Sequence, residues 1–408
     1  MEAEKGRWIL VLCGLFINLC LGTIYSWSVF VTPLTEYFTT NLGQNVTAGQ
    51  VLMPFSVFLA FFAIAMPLTG KYIDTLGPRN ITIIGGVLTG LGWLLASTVT
   101  SVQMLYILYG VIGGLGVGIA YGVPVAIASR WFPDKRGLAV GLTLLGFGFS
   151  AFLTANIAEY LIDSHGVMNA FRIFGVAFII LIIVLALPLT FPPADWKPRG
   201  WNPHASSQKT VCECNRSQML RTRTFYGLWV CYFIGCLAGL MAISIAKPVG
   251  TEIVGIAPGL AVLLVGFFAI FNGGGRPVFG SLTDKLNTKN TAMLSFVLIG
   301  AASLAMWLIP SVPVYIVAFA ILWGCLGGWL AIAPTATAGF FGTCDYPRCY
   351  GIIFLAYGAG AIAGPQLAGF IKTTTGTYLG VFSFVAVFAV IGLILAFVLL
   401  NPVTREDH

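Results

Sequence analysis

An arginine stands inside an apolar stretch of the chain. Arg276 belongs to the sequence Phe-Asn-Gly-Gly-Gly-Arg-Pro at residues 271–277, within a run that is otherwise apolar from 257 to 282. A guanidinium stays protonated in proteins, and placing it at the centre of a membrane helix costs about 2.5 to 3.5 kcal/mol. No acidic residue within the run neutralises this charge. We therefore predict that its partner is a small anionic substrate.

An asparagine precedes this arginine by four residues. On a helix, Asn272 and Arg276 therefore share one face, and the glycines between them keep that face narrow. The amide can hydrogen-bond a substrate oxygen or orient the guanidinium, and a planar guanidinium binds a carboxylate through two parallel hydrogen bonds. The alternative is a structural arginine satisfied by backbone carbonyls. The spacing favours a carboxylate site at Asn272 and Arg276.

The elements that position these residues follow from composition. With 58% hydrophobic and 9% charged residues and a mean hydropathy of +0.92, the chain of 408 residues is too apolar for a soluble protein. Its apolar runs reach the roughly 20 residues that a spanning helix needs, whereas a barrel would show short alternating strands. We predict an all-α integral membrane protein with twelve transmembrane helices, at residues 8–35, 48–70, 80–99, 103–129, 137–162, 168–191, 224–250, 257–282, 290–310, 313–340, 350–372 and 377–400.

A polar gap separates the sixth run from the seventh. It predicts an N-terminal six-helix half at residues 1–192, a cytoplasmic linker at 193–223 and a C-terminal six-helix half at 224–408, arranged around a central cavity. The first run lacks a small-residue cleavage site, which favours a retained span over a secretory signal.

The basic residues predict the orientation. Cytoplasmic loops carry an excess of Lys and Arg, and with the N-terminus inside, 17 of the 21 basic residues fall on the inner side. Arg172, Lys247 and Lys372 fall outside or near it. Both termini are therefore predicted to be cytoplasmic, in a multi-pass protein of the cell membrane.

A short pattern recurs in the two predicted halves. Gly70 and Asp74 follow the second run, with Arg79 close behind, and Gly280 and Asp284 follow the eighth. Glycines permit close helix approach, and the acids can cap a helix or pair with loop arginines, so we predict a conformational latch on the cytoplasmic side. The pattern resembles the cytoplasmic loop motif of the major facilitator superfamily. That resemblance implies two parallel six-helix repeats around a midplane site.

Two further stretches narrow the resemblance. Residues 118–124 and 130–139, with the eighth-run stretch at 271–276, resemble the oxalate/formate antiporter and monocarboxylate transporter group. In that group, animal monocarboxylate transporters carry an aspartate, assigned to proton handling, where this chain has Asn272. The oxalate/formate antiporter carries a lysine that aligns with Tyr357. One fixed cation suits one carboxylate, since a second carboxylate would remain desolvated and unpaired.

Aromatic residues are predicted to complete the pocket. Tyr121 and Tyr357 lie in segments that match the cavity-lining helices of the family, and their hydroxyls can donate to a carboxylate or a 2-hydroxyl. Tyr25, Phe354 and Trp329 are candidate wall residues. Packing against lipid or neighbouring helices is the alternative for each of them.

Other function classes find little support in the residues. The basic residues form no aromatic-interleaved patch for nucleic acid. The spans hold no paired acids and no nucleophile with a base, so we expect no enzyme, and no cofactor or metal ion is predicted. Cys212 and Cys214 lack a second ligand pair at zinc spacing, and their role stays open.

The sequence thus predicts a monomeric secondary transporter of small monocarboxylates such as lactate or pyruvate. Proton symport follows from analogy with the family, although occluding a bare Arg276 is costly and favours exchange. An anion exchanger of the oxalate/formate type and a non-transporting membrane sensor are the alternatives.

Overall fold

The computed structural model describes residues 3–69, 72–132, 136–193, 196, 198, 215–342 and 346–401, and all regular secondary structure in them is helical. Gly70, Cys212 and Cys214 lie outside these residues. Twelve of the helices are long and apolar enough to cross a membrane, as predicted. In chain order, α1 to α12 are Gly6–Asn41, Ala48–Pro67, Pro78–Ala96, Val102–Trp131, Leu138–His165, Val167–Ala186, Arg223–Ile253, Pro258–Thr283, Lys285–Leu308, Val312–Phe341, Arg348–Thr375 and Gly380–Leu399.

Since twelve is an even number, α1 begins and α12 ends on the same side of the membrane. We call this the terminus side and the opposite one the far side. Burial follows a period of three helices: α1, α4, α7 and α10 have 61–83% of their apolar windows buried, whereas α3, α6, α9 and α12 have 33–50% buried. The first set therefore lies at the centre of the bundle and the second at its periphery.

Several spans depart from regular α-helix. A 3₁₀ turn at Gly22–Ser26 interrupts α1, and π-helical turns occur at Tyr37–Asn41, Tyr106–Gly113 and Val249–Ile253. The continuous helical stretch Pro258–Leu308, which contains α8 and α9, bends at Asn287, whose φ of 66° is left-handed. Hydropathy does not reveal such turns, because they leave the length and polarity of a span unchanged.

Two helix pairs carry most of the packing between the first six helices and the last six. Helix α2 packs along α11, and α5 packs along α8, while the far part of α1 contacts α7. The predicted boundaries of the halves at residues 192 and 223 stay a prediction.

The far ends of α2 and α11 meet at two glycines. A Cβ atom built on Gly369 would lie 2.4 Å from the Cα atom of Gly49, which forces the backbones apart. A Cβ built on Gly49 would meet no atom closer than 3.7 Å. Gly49 and Gly369 lie at the same helix contact, but only Gly49 has room for an added methyl group. Alanine substitutions at the two positions therefore form a variant and its matched control.

We expect Gly369→Ala to open the far side, because the added methyl group fits only if α2 and α11 separate. Spin labels on cysteines placed at Thr40 and Thr374, in a background without native cysteines, would report a longer distance in electron double-resonance measurements. Gly49→Ala should leave the distance distribution unchanged. Identical distributions for the two alanine variants would contradict this prediction.

Candidate functional site

Arg276 is buried on α8, with 7% of its surface exposed. Its Nη1 atom donates to the carbonyl oxygen of Leu144 on α5 at 2.9 Å. Its Nε and Nη2 atoms are buried and donate to no protein atom within the described residues. These two nitrogens form one edge of the guanidinium, and that edge presents two parallel N–H groups. The backbone thus satisfies one edge of the side chain and leaves the carboxylate-binding edge available.

Asn272 lies on the same helix and is fully buried. Its Nδ2 atom donates to the carbonyl oxygen of Trp323 on α10 at 3.1 Å, while its Oδ1 atom accepts no hydrogen bond from the described residues. A Cβ built on Gly148 of α5 would lie 2.9 Å from this Oδ1 atom. In this conformation, Asn272 therefore binds α10 through its amide nitrogen and turns its oxygen toward α5.

The glycines around these residues allow α8 to pack between two helices. A Cβ on Gly275 would lie 2.1 Å from the carbonyl oxygen of Gly324, and one on Gly327 would lie 2.0 Å from that of Asn272. On the other side, a Cβ on Gly148 would lie 2.9 Å from the Cα atom of Gly273. Helix α8 is thus fixed between α5 and α10, and this packing sets the position of Arg276.

A pair of tyrosines connects α1 with α11. The hydroxyl oxygens of Tyr25 and Tyr357 lie 3.0 Å apart, and both side chains are fully buried. Tyr25 belongs to the 3₁₀ turn of α1. Its ring and that of Tyr121 both contact Phe147 of α5, one turn beyond Leu144, whose carbonyl binds Arg276. The structure therefore brings together three predicted tyrosines and the predicted arginine.

Aromatic rings enclose these hydroxyls. The ring of Phe354 stacks on that of Tyr357 at 5.1 Å between centroids. Phe62 contacts Tyr121 at 5.1 Å and Tyr357 at 5.7 Å. Phe147 contacts Tyr25 and Tyr121 at 5.1 and 5.2 Å. We call this set the aromatic cage; its members are Tyr25, Phe62, Tyr121, Phe147, Phe354 and Tyr357.

Phe62 and Phe147 are cage residues that sequence reasoning missed. The chain has 31 phenylalanines, and those in the cage stand in apolar runs like the others. Neither residue type nor spacing distinguishes them, so only the packing of α2 and α5 identifies them.

Trp329 on α10 lies outside the cage. Its indole ring packs over Gly235 of α7, where a Cβ would lie 2.2 Å from Nε1. It contacts Tyr232 at 6.1 Å between centroids, and Tyr232 in turn reaches Phe354 at 6.5 Å. Trp329 thus touches the cage through Tyr232, another residue that sequence reasoning missed.

The predicted latch residues are only partly described. Gly70 lies outside the described residues, and so do the side chains of Asp74 and Asp284. Arg79 is the second residue of α3 and is exposed. A Cβ on Gly280 would lie 3.9 Å from that of Ala331, an ordinary contact, so the packing there does not require glycine. The latch stays a prediction.

The described residues contain no group of three or more His, Cys, Asp or Glu side chains that could hold a metal ion. The central chemistry of this region is instead a buried guanidinium beside tyrosine hydroxyls, in an apolar surrounding. The chemistry of such an arrangement suits a small anion with an apolar body, because charge and ring surface can act on different parts of it.

Comparisons with known proteins agree on one family. The model of the Major Facilitator Superfamily matches residues 12–338 and 228–408. The chain is 32% identical over 378 residues to the oxalate:formate antiporter of Oxalobacter formigenes, covering 91% of this chain and 86% of that protein. It is 26% identical to monocarboxylate transporter 14 of Homo sapiens, covering 98% of this chain and 91% of that protein.

A solved structure shares the fold. The bacterial homologue of the human lysosomal transporter Spinster, in an inward-facing and unoccupied conformation, superposes with a TM-score of 0.72 at 15% identity. The match covers 98% of this chain and 97% of that one. At this identity the likeness concerns the fold alone.

Proposed function

Because the chain belongs to the Major Facilitator Superfamily, within the group of oxalate/formate antiporters and monocarboxylate transporters, we propose that it carries small monocarboxylates such as lactate or pyruvate by alternating access. The family makes it a multi-pass membrane transporter of small anions and not an enzyme. The identity of the substrate is the further step.

One observation carries the proposal. The Nε and Nη2 atoms of Arg276 are buried and free of protein partners among the described residues, while Nη1 is fixed by the carbonyl of Leu144. A carboxylate that approaches this edge accepts two parallel, charge-assisted hydrogen bonds. These bonds offset the cost of burying the guanidinium of Arg276, which is otherwise only partly hydrogen-bonded. Anion binding at this depth is therefore favourable.

The aromatic cage is proposed to contact the parts of the substrate other than its carboxylate. Tyr25 and Tyr357 present hydroxyls that are able to donate to a 2-hydroxy or 2-oxo group, and the rings of Phe62, Phe147 and Phe354 contact a short apolar body. Tyr121 has the same capacity as the other tyrosines. Asn272 is proposed to steady Arg276 through the packing of α8, and Trp329 supports the wall through Tyr232.

A single cation beside the cage, Arg276, argues for one carboxylate. Among the described residues of the cage, Tyr357 stands where a second cation would be needed to pair a dicarboxylate. A second carboxylate buried without a partner costs several kcal/mol.

Proton symport is the proposed coupling. The described cage contains no acidic side chain, so a transported proton must travel with the substrate or on a carboxylate at the far side. Glu252 is the candidate there; it pairs with Lys372 in this conformation and can be protonated once the helices move apart.

An exchanger is the second candidate, and the buried charge of Arg276 supports it. Without a bound anion, the occluded guanidinium keeps only its hydrogen bond to Leu144, so the return of an empty carrier is unfavourable. The similarity to an oxalate:formate antiporter points in the same direction.

We further propose that both termini lie in the cytoplasm, that the protein resides in the cell membrane and that it works as a monomer. The distribution of basic residues supports this orientation. The terminus side is then the cytoplasmic side, and the far side faces outward. The halves at residues 1–192 and 224–408, with the linker between them, are proposed as the units that rock.

Uptake of labelled lactate into proteoliposomes tests the function and its coupling in one comparison. We expect an inward proton gradient to accelerate net uptake into vesicles loaded with buffer alone. Uptake that requires unlabelled anion inside the vesicle, and whose rate does not depend on the proton gradient, would indicate exchange instead. Absence of uptake of lactate, pyruvate and formate under both conditions would contradict the proposed function.

A further inference from the structure

A buried lysine lies far from the aromatic cage. Among the described residues, the buried basic side chains are Arg7, Lys247 and Arg276. Arg7 lies near the beginning of α1, where it donates to the carbonyl of Trp131, and Arg276 adjoins the cage. Lys247 lies near the far end of α7, and its charge needs a separate explanation.

The partner of Lys247 comes from the other six-helix set. Its Nζ atom lies 2.7 Å from Oε2 of Glu159 on α5, and the two side chains are 9% and 18% exposed. The ion pair therefore joins helices from opposite sides of the proposed pathway. It is more buried than the pair of Lys372 and Glu252, whose side chains are 26% and 42% exposed and which joins α11 to the end of α7.

The depth of the pair follows from helix geometry. Lys247 stands fifteen residues beyond Tyr232 on α7, and Glu159 stands fifteen residues beyond Leu144 on α5. At a rise of about 1.5 Å per residue, Lys247 and Glu159 lie about 22 Å further toward the far side than Tyr232 and Leu144, respectively. The pair thus lies between the cage and the far surface.

The helix changes its geometry directly after Lys247. Pro248 has no N–H group to offer the carbonyl of Ser244, and a π-helical turn follows at Val249–Ile253. The carbonyl oxygen of Lys247 accepts a hydrogen bond from the hydroxyl of Thr251 at 3.2 Å. Interrupted ladders of this kind are common points of bending, so this end of α7 is suited to move.

We propose that Lys247 is a second anion-binding residue of the transport pathway, held by Glu159 while the far side is closed and transferred to the carboxylate of an entering substrate when that side opens. The inference rests on the proposed function, since it requires a carboxylate substrate.

The chemistry of the partner supports this assignment. Opening the far side separates α5 from α7 and removes the carboxylate that neutralises Lys247. A transported monocarboxylate carries the same functional group as Glu159, so it replaces the lost partner without a change in charge. An ammonium binds as a point charge without the two-bond geometry of Arg276, and this suits a site from which the substrate must move on.

Two variants that break the same ion pair show whether Lys247 binds the substrate or only holds the far side closed. Lys247→Gln removes both the pair and the cation, whereas Glu159→Gln removes the pair and keeps the cation. Lactate uptake is measured in membrane vesicles of the two orientations, so that KM is obtained from the far side and from the terminus side. The control is Arg172→Gln, which removes an exposed basic residue at the same side.

We expect Lys247→Gln to raise the far-side KM about 10-fold and to leave the terminus-side KM within about twofold. Glu159→Gln should keep or lower the far-side KM, because its lysine is free to meet the substrate. Arg172→Gln should behave as the wild type.

Several outcomes would overturn the inference. One is an equal shift of KM on both sides in Lys247→Gln. Another is a shift in the same direction for Lys247→Gln and Glu159→Gln, which would indicate a closing contact only.

Folding and function are separated by two added measurements. Thermal unfolding in detergent shows whether each variant is folded, and equilibrium binding of lactate reports the central site, which these substitutions do not touch. If the wild type transports no carboxylate, the proposed function fails. If it transports lactate but Lys247→Gln matches the wild type on both sides, only the present inference fails.

Discussion

Replacement of Arg276 by alanine is expected to lower lactate uptake by about 100-fold or more. Truncating one partner of a buried, hydrogen-bonded charge pair costs about 2–5 kcal/mol, and a factor of ten corresponds to about 1.4 kcal/mol. The variant loses the free Nε and Nη2 edge as well as the hydrogen bond to Leu144. Uptake into proteoliposomes and equilibrium binding of lactate should fall together, because the substrate loses its charged partner.

Two controls sharpen this result. Arg276→Lys keeps the charge but has no planar pair of N–H groups, so its loss should be smaller than that of the alanine variant. Arg172→Ala removes an exposed basic residue of α6 and should transport at the wild-type rate. A folded Arg276→Ala variant with normal uptake would show that the carboxylate binds elsewhere.

The parts of the fold that sequence could predict are those that the membrane itself dictates. A span needs about 20 apolar residues, so the twelve helices stand out whatever their packing. Arg276 stands out for the same reason, as a charge in an apolar run. The 3₁₀ turn that carries Tyr25 leaves no such trace, because a local change in winding alters neither length nor polarity.

Asn272 shows the limit of reasoning from helical spacing. Its place on the same helix as Arg276 follows from the interval of four residues, but the approach of α10 does not. The carbonyl of Trp323 occupies its amide nitrogen at 3.1 Å. The sequence separation between these residues is large, so the contact depends on how α8 and α10 pack and not on local pattern.

The pairing of Lys247 with Glu159 also depends on how helices pack and not on local sequence pattern. Both residues are recognisable from sequence as charges near the far ends of α5 and α7. Their contact joins two helices that are far apart in the chain, and nothing in either segment selects the other. The aromatic cage is similar, since Phe62, Phe147 and Phe354 come from three separate spans.

Conversion of Tyr357 to lysine is expected to change the preferred substrate. The hydroxyl of Tyr357 lies 3.0 Å from that of Tyr25, whose ring contacts Phe147, one turn beyond the Leu144 carbonyl that binds Arg276. An ammonium at this position places a second cation near Arg276. Without substrate the two cations repel each other, whereas a dicarboxylate neutralises both.

We therefore expect Tyr357→Lys to raise the ratio of oxalate to lactate uptake by about 10-fold or more, which corresponds to about 1.4 kcal/mol in relative binding. Counterflow of labelled oxalate in proteoliposomes measures the gain, and competition by unlabelled lactate measures the loss. Tyr357→Phe is the matched control, since it removes the hydroxyl without adding charge and should weaken lactate uptake without any gain for oxalate. If the folded lysine variant keeps the wild-type ratio, the charge at position 357 does not select between mono- and dicarboxylates, and the selectivity must arise from the aromatic walls or from Lys247.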